Sequence, residues 1–362
     1  MESPPSETGP PSETGQPSRT GQPSETDVEG HPENRIGTAA PRTRAWRSGK
    51  IEAEGFPVHR IREYLRRPDV VVWLDVCGPR QEDLHVVGDE LGLDPVAVED
   101  AVSRHERAKL DRYEGYSFLN MYVPLVDDAE LTMHELSAFL AERALVTVRQ
   151  DGGFDVDALI RRWDESPGGE LGETGAAFLL YGMLDLVVDM QLEAVEALDD
   201  EAAVVEELVF GETFPVKEIQ HRSYRLRKNL ATLRRVALPM REVVDTLLRR
   251  DLRLVAPSLV PYFQDVHDHT LRVAEWTDGL RDLVADLIET RLALQSNRMN
   301  EVMKKVTSWA AIIAVPTAVT GFYGQNIPYP GEGEYSGVVA STLIIVICSV
   351  GLYVIFKLRD WL

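Results

Sequence analysis

The spacing of apolar residues divides the chain into an α/β part and a helical part. Short apolar runs at 70–74 and 144–148 are typical of buried strands, and a longer run at 116–126 predicts a third strand. The segments between these runs have the mixed periodicity of short helices. We therefore expect an α/β domain over residues 51–165.

Beyond the α/β part, the strand pattern stops and helical periodicity replaces it. Residues 175–208 and 215–250 predict two long charged helices, within a helical region that we place at 166–258. A third helix over 262–325 would be about 95 Å long at 1.5 Å per residue. A helix of that length is typical of a membrane stalk, so we expect a stalk at 259–326 that continues into a first transmembrane helix.

Two apolar segments near the C-terminal end are each long enough to cross a bilayer, which needs about 20 residues of helix. Between Lys305 and Lys357 the only charged side chains are two glutamates. We predict an external loop at 327–336 after the first span, a second transmembrane helix at 337–356 and a short tail at 357–362.

The charges that flank the two spans predict their orientation. Lys304 and Lys305 precede the first span, Lys357 and Arg359 follow the second, and the connecting loop has no lysine or arginine. By the positive-inside rule, both termini of this multi-pass cell-membrane protein face the cytoplasm. The fold class is then an α/β cytoplasmic domain, a long-helix region and two C-terminal transmembrane helices.

Residues 1–50 lack the pattern of a folded segment. A repeat rich in proline, serine, glycine and threonine places its prolines at Pro5, Pro11, Pro17 and Pro23. Such a sequence buries too little apolar surface to offset the entropy of ordering, so we expect a disordered tail. It has no apolar core of the kind found in signal peptides.

The composition excludes several classes of function. The chain has 362 residues with 38 Lys+Arg against 59 Asp+Glu, a net charge of -21. This excess of acid argues against nucleic acid as a partner and suits a protein that handles cations. Two cysteines exclude a disulfide framework. We find no phosphate loop, catalytic triad or metal-hydrolase spacing, and we expect that the protein is not an enzyme.

One face of the first span and its lead-in carries small or weakly polar residues. At a helical spacing of three or four, this small-residue stripe consists of Asn300, Met303, Thr307, Ala310, Ala314, Thr317, Gly321 and Gly324. The stripe fits close helix packing in lipid and the lining of a narrow pore equally well. Without acidic side chains or imidazole, it would suit a hydrated dication such as Mg²⁺ better than Zn²⁺.

The outer end of the first span carries the sequence Tyr-Gly-Gln-Asn at 323–326. Together with the segment Asn-Glu-Val-Met-Lys at 300–304, it resembles the signature of CorA-type magnesium channels. In that family a Gly-Met-Asn motif ends the first of two spans, whereas Gln325 occupies the middle position here and leaves the ion preference open. The resemblance covers about residues 51–362. It implies a homopentameric funnel that mediates passive Mg²⁺ influx.

The resemblance also implies roles for individual residues of the first span. The selectivity filter would consist of Gly324, Gln325 and Asn326, with Asn326 meeting hydrated Mg²⁺. The pore lining would consist of Asn300, Met303, Ala310, Ala314, Thr317 and Gly321. Mg²⁺ would be both the transported ion and a regulatory ligand, and Co²⁺ and Ni²⁺ remain alternative substrates.

A regulatory metal site is implied in the cytoplasmic part. The segment 95–100 resembles the family's helix that carries a regulatory acid. By that match, Asp100 of one subunit and Asp265 of the next would share a Mg²⁺ ion, with Glu99 and Asp268 as secondary candidates. Carboxylates that meet across an interface repel unless a cation lies between them, so binding would close the funnel. For any single acid, a solvated surface charge is the alternative.

Two histidines of the stalk, His267 and His269, do not predict a chelating pair. Residues two apart on a helix point to different faces. We expect both side chains to face solvent or a subunit interface.

Two other functions remain open at this point. A Zn²⁺, Co²⁺ or Ni²⁺ transporter of the same superfamily would share most of these features, and Gln325 does not separate it from a Mg²⁺ channel. A membrane-anchored metal sensor that conducts no ion would tolerate bulky residues along the stripe. In each case the expected partners are further copies of the chain, the lipid bilayer and divalent cations.

Overall fold

The computed structural model describes most of the chain after its N-terminal segment. The described residues are 37–103, 107–165, 174–211, 215–249, 255–325, 328 and 330–362. Most of the predicted tail, and Asn326 of the predicted filter, lie outside these ranges.

A seven-stranded sheet forms the centre of the α/β domain. Its strands are β1 (Arg42–Arg47), β2 (Lys50–Glu54), β3 (Val70–Cys77), β4 (Lys109–Arg112), β5 (Tyr116–Asp127), β6 (Glu130–Ala141) and β7 (Ala144–Arg149). They lie in the order β2-β1-β3-β7-β6-β5-β4, and only β3 and β7 are parallel neighbours. The three strands predicted from apolar runs are confirmed as β3, β5 and β7.

The folded domain begins earlier than the sequence predicted. The end of the segment assigned to the tail forms β1, which pairs with β3 along its whole length. The prediction was wrong here because the arginines of β1 make it look polar. Arg44 is buried, and its guanidinium donates to Glu54 at 2.9 Å and to Asp164 at 2.6 Å. A buried arginine is tolerated when its charge is paired in this way.

Short helices cover one face of the sheet. They are α1 (Ile61–Leu65), α2 (Gln81–Leu91) and α3 (Pro95–Val102), and their apolar sides pack with β3 and β5 in one core. The start of α3 is specified locally: Asp94 caps it by accepting a hydrogen bond from the Val96 N–H at 2.8 Å, and Pro95 occupies the first turn.

The other face of the sheet carries α4 (Val156–Glu165) and the three long helices. These are α5 (Ala176–Phe210), α6 (Val216–Leu248) and α7 (Val260–Tyr323), which share a second core with the sheet. All three long helices begin and end within two residues of the positions that the sequence predicts. The 64 residues of α7 extend about 96 Å without a break.

Helix α7 changes its surroundings halfway along. From Phe263 to Leu287 one apolar face of the helix is buried against α5 and α6, whereas Val302, Val306 and Trp309 are exposed. The last helix, α8 (Tyr335–Leu358), packs against this second half of α7. Within the part of the chain that the structure describes, it makes no comparable contact with another helix or strand. In the most apolar window of each helix, 6 % of residues are buried in α7 and 0 % in α8. Two helices this apolar and this exposed fit two membrane spans.

A close contact fixes α4 against α5. A Cβ added at Gly182 would lie 2.7 Å from Trp163 Nε1. The Trp163 ring is held edge-on by Trp46 and Trp73, with ring centres 6.0 and 5.0 Å away, and its Nε1 donates to the Leu179 carbonyl. The Trp163 ring therefore cannot move away from a methyl group added at Gly182.

We expect Gly182→Ala to lower the free energy of unfolding by about 1–3 kcal/mol, because the new methyl group overpacks the contact. Gly279→Ala on α7 is the matched control, since no atom lies within 4 Å of its added Cβ. It should leave stability unchanged or raise it by up to about 1 kcal/mol through helix propensity. Thermal unfolding of the detergent-solubilised protein measures both, and equal midpoints would contradict the packing argument.

Candidate ion pathway and regulatory acids

The small-residue stripe forms one exposed face of α7. All eight of its members, from Asn300 to Gly324, are exposed in the single chain. The least exposed positions of this stretch include Ser308, Ile312 and Val315, which the helical repeat places on the opposite side. Because α8 packs against this half of α7, the stripe from Ala310 onward lies on the side of the helix away from α8, while Asn300, Met303 and Thr307 line a cavity together with Asp360 and Trp361, which follow α8.

The C-terminal end of α7 is shaped by glycine. The Gly324 N–H donates to the Thr320 carbonyl at 2.9 Å, and the Gln325 N–H donates to Phe322 at 3.2 Å. A Cβ at Gly324 would lie 3.0 Å from the Thr320 oxygen, so a side chain would crowd this closing turn. Gly324 and Gln325 are both exposed here, and the third predicted filter residue, Asn326, lies outside the described residues.

Asp100 lies in the last turn of α3 and is paired with a lysine. Its Oδ2 accepts a hydrogen bond from Lys109 Nζ at 2.7 Å, and the same ammonium lies 2.9 Å from Asp111 Oδ2. Partial burial acts to lower the pKa of Lys109, but the hydrogen bonds and charges of the two aspartates outweigh it and raise that pKa. The side chain of Asp100 is 31 % exposed and is accessible from solvent.

Asp265 lies on the opposite face of the sheet from Asp100. It is an exposed residue of α7, whereas α3 belongs to the core on the other side of the sheet. The two acids can therefore share an ion only between subunits, and their pairing stays a prediction. Of the secondary candidates, Glu99 is exposed, and Asp268 is exposed and lies 3.5 Å from the Nδ1 atom of His267.

A further group of possible metal ligands lies close to Asp265, and the sequence analysis missed it. Asp185 and Asp189 of α5 meet His269 of α7, with one ligand atom of each within 4.8 Å of the others. The Nδ1 atom of His269 is buried without a hydrogen-bond partner in the described chain. The expectation that His269 faces solvent or a subunit interface was wrong, because it faces α5.

The two histidines do diverge, as their spacing predicts. His267 turns to α6, where its Nε2 lies 3.0 Å from Asp245. The signal for the missed group was the spacing of Asp185 and Asp189, which places two carboxylates on one face of α5. Nothing in the local sequence indicated that His269 would lie against that face.

An arginine already pairs with both carboxylates of this group. Arg162 of α4 donates to Asp185, and to Asp189 at 2.9 Å. Burial raises the pKa of Asp185 even though Arg162 opposes the shift. Burial, followed by the charge of Asp185, also raises the pKa of the neighbouring Tyr181 to about 12, and Asp265 is close enough to contribute. Carboxylates and imidazole can bind a dication, but here it would compete with the guanidinium.

Comparisons with known proteins fit this arrangement. A family model described as "CorA-like Mg2+ transporter protein" matches residues 68–359. The "Cobalt/magnesium transport protein CorA" of Thermotoga maritima is 31 % identical over 327 residues, which cover 86 % of this chain and 92 % of that protein. The "Zinc transport protein ZntB" of Yersinia enterocolitica is 24 % identical over 306 residues, covering 82 % and 85 %.

A solved structure shows the same fold. The complete structure of the CorA magnesium transporter from Methanocaldococcus jannaschii matches with a TM-score of 0.72 at 21 % identity, covering 90 % of this chain and 99 % of that one. The sheet, the long helices and the two exposed apolar helices thus occur together in a transporter of known structure. The chain belongs to the CorA-like Mg²⁺ transporter family, and it is a divalent-cation transporter rather than an enzyme.

Proposed function

We propose that this protein is a homopentameric Mg²⁺ channel of the cell membrane, and that cytoplasmic Mg²⁺ closes it. The observation that carries the proposal is the small-residue stripe of α7, which is exposed along its length and from Ala310 onward lies on the side away from α8. Two helices cannot enclose an aqueous path alone. Several copies of α7 with their stripes turned inward can.

The stripe suits an ion that keeps its water. Its hydroxyl, amide and thioether groups carry no charge, and Mg²⁺ gives up its hydration shell reluctantly. At the outer end, the ring of Gly324, Gln325 and Asn326 would select the hydrated ion. The membrane potential is a sufficient driving force, because moving two charges through 100 mV releases about 4.6 kcal/mol.

The orientation follows from charge. The basic residues flank the two apolar spans at their ends away from the connecting loop: Lys304 and Lys305 lie within α7 just before its apolar part, and Lys357 and Arg359 lie at the end of α8. We place both termini, and the whole α/β domain, in the cytoplasm. The domain is then positioned to respond to the internal Mg²⁺ concentration.

Transport of Zn²⁺, Co²⁺ or Ni²⁺ is the second candidate. Gln325 replaces the methionine of the usual family motif, and relatives of this chain include proteins described as zinc and cobalt/magnesium transporters. Against this candidate, the stripe offers neither imidazole nor thiolate, the ligands that Zn²⁺ prefers.

Regulation rests on the acids of the cytoplasmic part. Asp100 and Asp265 are both accessible to solvent on one chain and lie on different sides of its sheet. In the closed assembly, a Mg²⁺ ion between Asp100 of one subunit and Asp265 of the next would offset their repulsion. Loss of the ion would let the subunits separate and open the pore.

The first experiment is Mg²⁺ influx into liposomes that contain a fluorescent indicator. The wild-type protein should conduct, whereas Asn326→Ala should lose most of its influx because the filter ring loses its amide. Gly321→Leu should also block influx, since it places a bulky side chain on the stripe.

The matched control is Gly351→Leu on α8. Like Gly321, Gly351 has no atom within 4 Å of an added Cβ, but it lies on the other span. It should retain influx. Entry of Zn²⁺ or Co²⁺ without Mg²⁺ would favour the second candidate. If no metal enters the liposomes at low internal Mg²⁺, the result would favour a sensor that conducts no ion.

The second experiment concerns the regulatory site. Asp265→Lys should abolish the dependence of influx on internal Mg²⁺, because an ammonium group replaces a metal ligand. Asp265→Asn should raise the half-inhibitory Mg²⁺ concentration about tenfold, the effect of roughly 1.4 kcal/mol of lost binding energy. Flux at graded internal Mg²⁺ measures both variants.

Asp282→Lys makes the same charge reversal at another exposed position of α7 and serves as the control. It should leave the half-inhibitory concentration close to that of the wild type. Unchanged inhibition in Asp265→Lys would exclude this residue from the regulatory site.

A further inference from the structure

The proposed regulatory carboxylate of Asp100 already holds a cation that belongs to the chain. Lys109 Nζ lies 2.7 Å from Asp100 Oδ2 and 2.9 Å from Asp111 Oδ2, so one ammonium is shared by two carboxylates. The three side chains are between 29 and 43 % exposed. A Mg²⁺ ion from the cytoplasm can therefore reach the same cluster.

The local structure explains why a cation is needed here. Asp100 lies in the last turn of α3, where the carbonyl groups of Glu99 and Asp100 both accept from the Ser103 N–H. The C-terminal end of a helix carries partial negative charge, so a carboxylate at this position is unfavourable unless a positive group is close. Lys109 meets that need in the single chain.

The sheet holds the ammonium in place. Lys109 is the first residue of β4 and pairs in register with Asn120 of β5. Its Nζ also lies 5.4 Å from the centre of the Phe118 ring, a distance at which the ring face attracts a cation. The position of the charge is thus set by the fold rather than by a freely moving side chain.

We propose that Lys109 sets the Mg²⁺ concentration at which the regulatory site fills, by competing with the metal for Asp100. The inference rests on the proposed regulation by cytoplasmic Mg²⁺. An ammonium about 5 Å from a bound dication weakens its binding about tenfold through charge repulsion, even in a water-like medium. Asp111 acts in the opposite direction, because it attracts the same ammonium away from Asp100.

The proposal is testable because removing Lys109 and removing its partner Asp111 should shift the half-inhibitory Mg²⁺ concentration in opposite directions. Lys109→Met should lower the half-inhibitory internal Mg²⁺ concentration about tenfold in the liposome flux assay. Asp111→Asn should raise it about threefold, because Asp100 then holds the ammonium alone. Lys109→Arg keeps the charge and should remain close to the wild type.

A double variant separates the two routes by which Asp111 could act. If Asp111 acts through Lys109, then Asp111→Asn should have little further effect in a Lys109→Met background. Arg60→Met removes a positive charge from an exposed ion pair with Glu63 on the same domain, and it serves as the control for net charge. It should leave the half-inhibitory concentration unchanged.

A second readout does not depend on transport. The Mg²⁺ concentration that protects the full-length protein against limited proteolysis should shift in the same directions as the flux. This readout also shows whether Lys109→Met folds. If it does not, the expected rise for Asp111→Asn, beside an unchanged Lys109→Arg, remains the test.

The outcomes separate this inference from the function on which it rests. Absence of Mg²⁺ inhibition in the wild type would overturn the proposed regulation and this inference together. A second outcome would overturn this inference alone. In it, Asp100→Asn weakens the inhibition by Mg²⁺, and Lys109→Met either leaves the inhibition unchanged or weakens it as well. A Lys109→Arg variant that behaves like Lys109→Met would do the same, because it would show that shape rather than charge matters.

Discussion

The structure depends on one unbroken helix that passes through two different surroundings. The first half of α7 buries its apolar residues against α5 and α6, and the second half exposes equally apolar residues. A helix pairs its backbone groups with one another, which is the condition for a segment to enter lipid, and Pro316, which has no N–H, interrupts this pairing within the second half.

A second constraint is the electrostatic cost of placing carboxylates close together in a chain that carries a net negative charge. The chain offsets this cost locally with its own cations: Lys109 lies between Asp100 and Asp111, and Arg162 lies between Asp185 and Asp189. A divalent ion that binds at either place has to compete with a group already present. The affinity of either place for a metal would therefore be a difference between two charge interactions, and it would depend on the lysine or arginine as well as on the acids.

Much of the architecture could be predicted from apolar spacing. The bounds of the long helices, the strands β3, β5 and β7 and the two exposed apolar helices all follow from patterns that span several turns or a whole strand, whereas β6, which lies between β7 and β5, was not predicted. The prediction failed at β1, where Arg44 made a buried strand look like part of the tail. Its pairing with Glu54 and Asp164 is a tertiary contact, and no local pattern reveals it.

The sequence by itself determined which residues share a face of one element, because the repeat of a helix or strand is fixed by its backbone. It thereby defined the stripe on α7 and separated His267 from His269. Only the tertiary structure decided which faces meet. His269 lies against Asp185 because α5 and α7 pack side by side, and that packing depends on the summed burial of many apolar residues rather than on any motif.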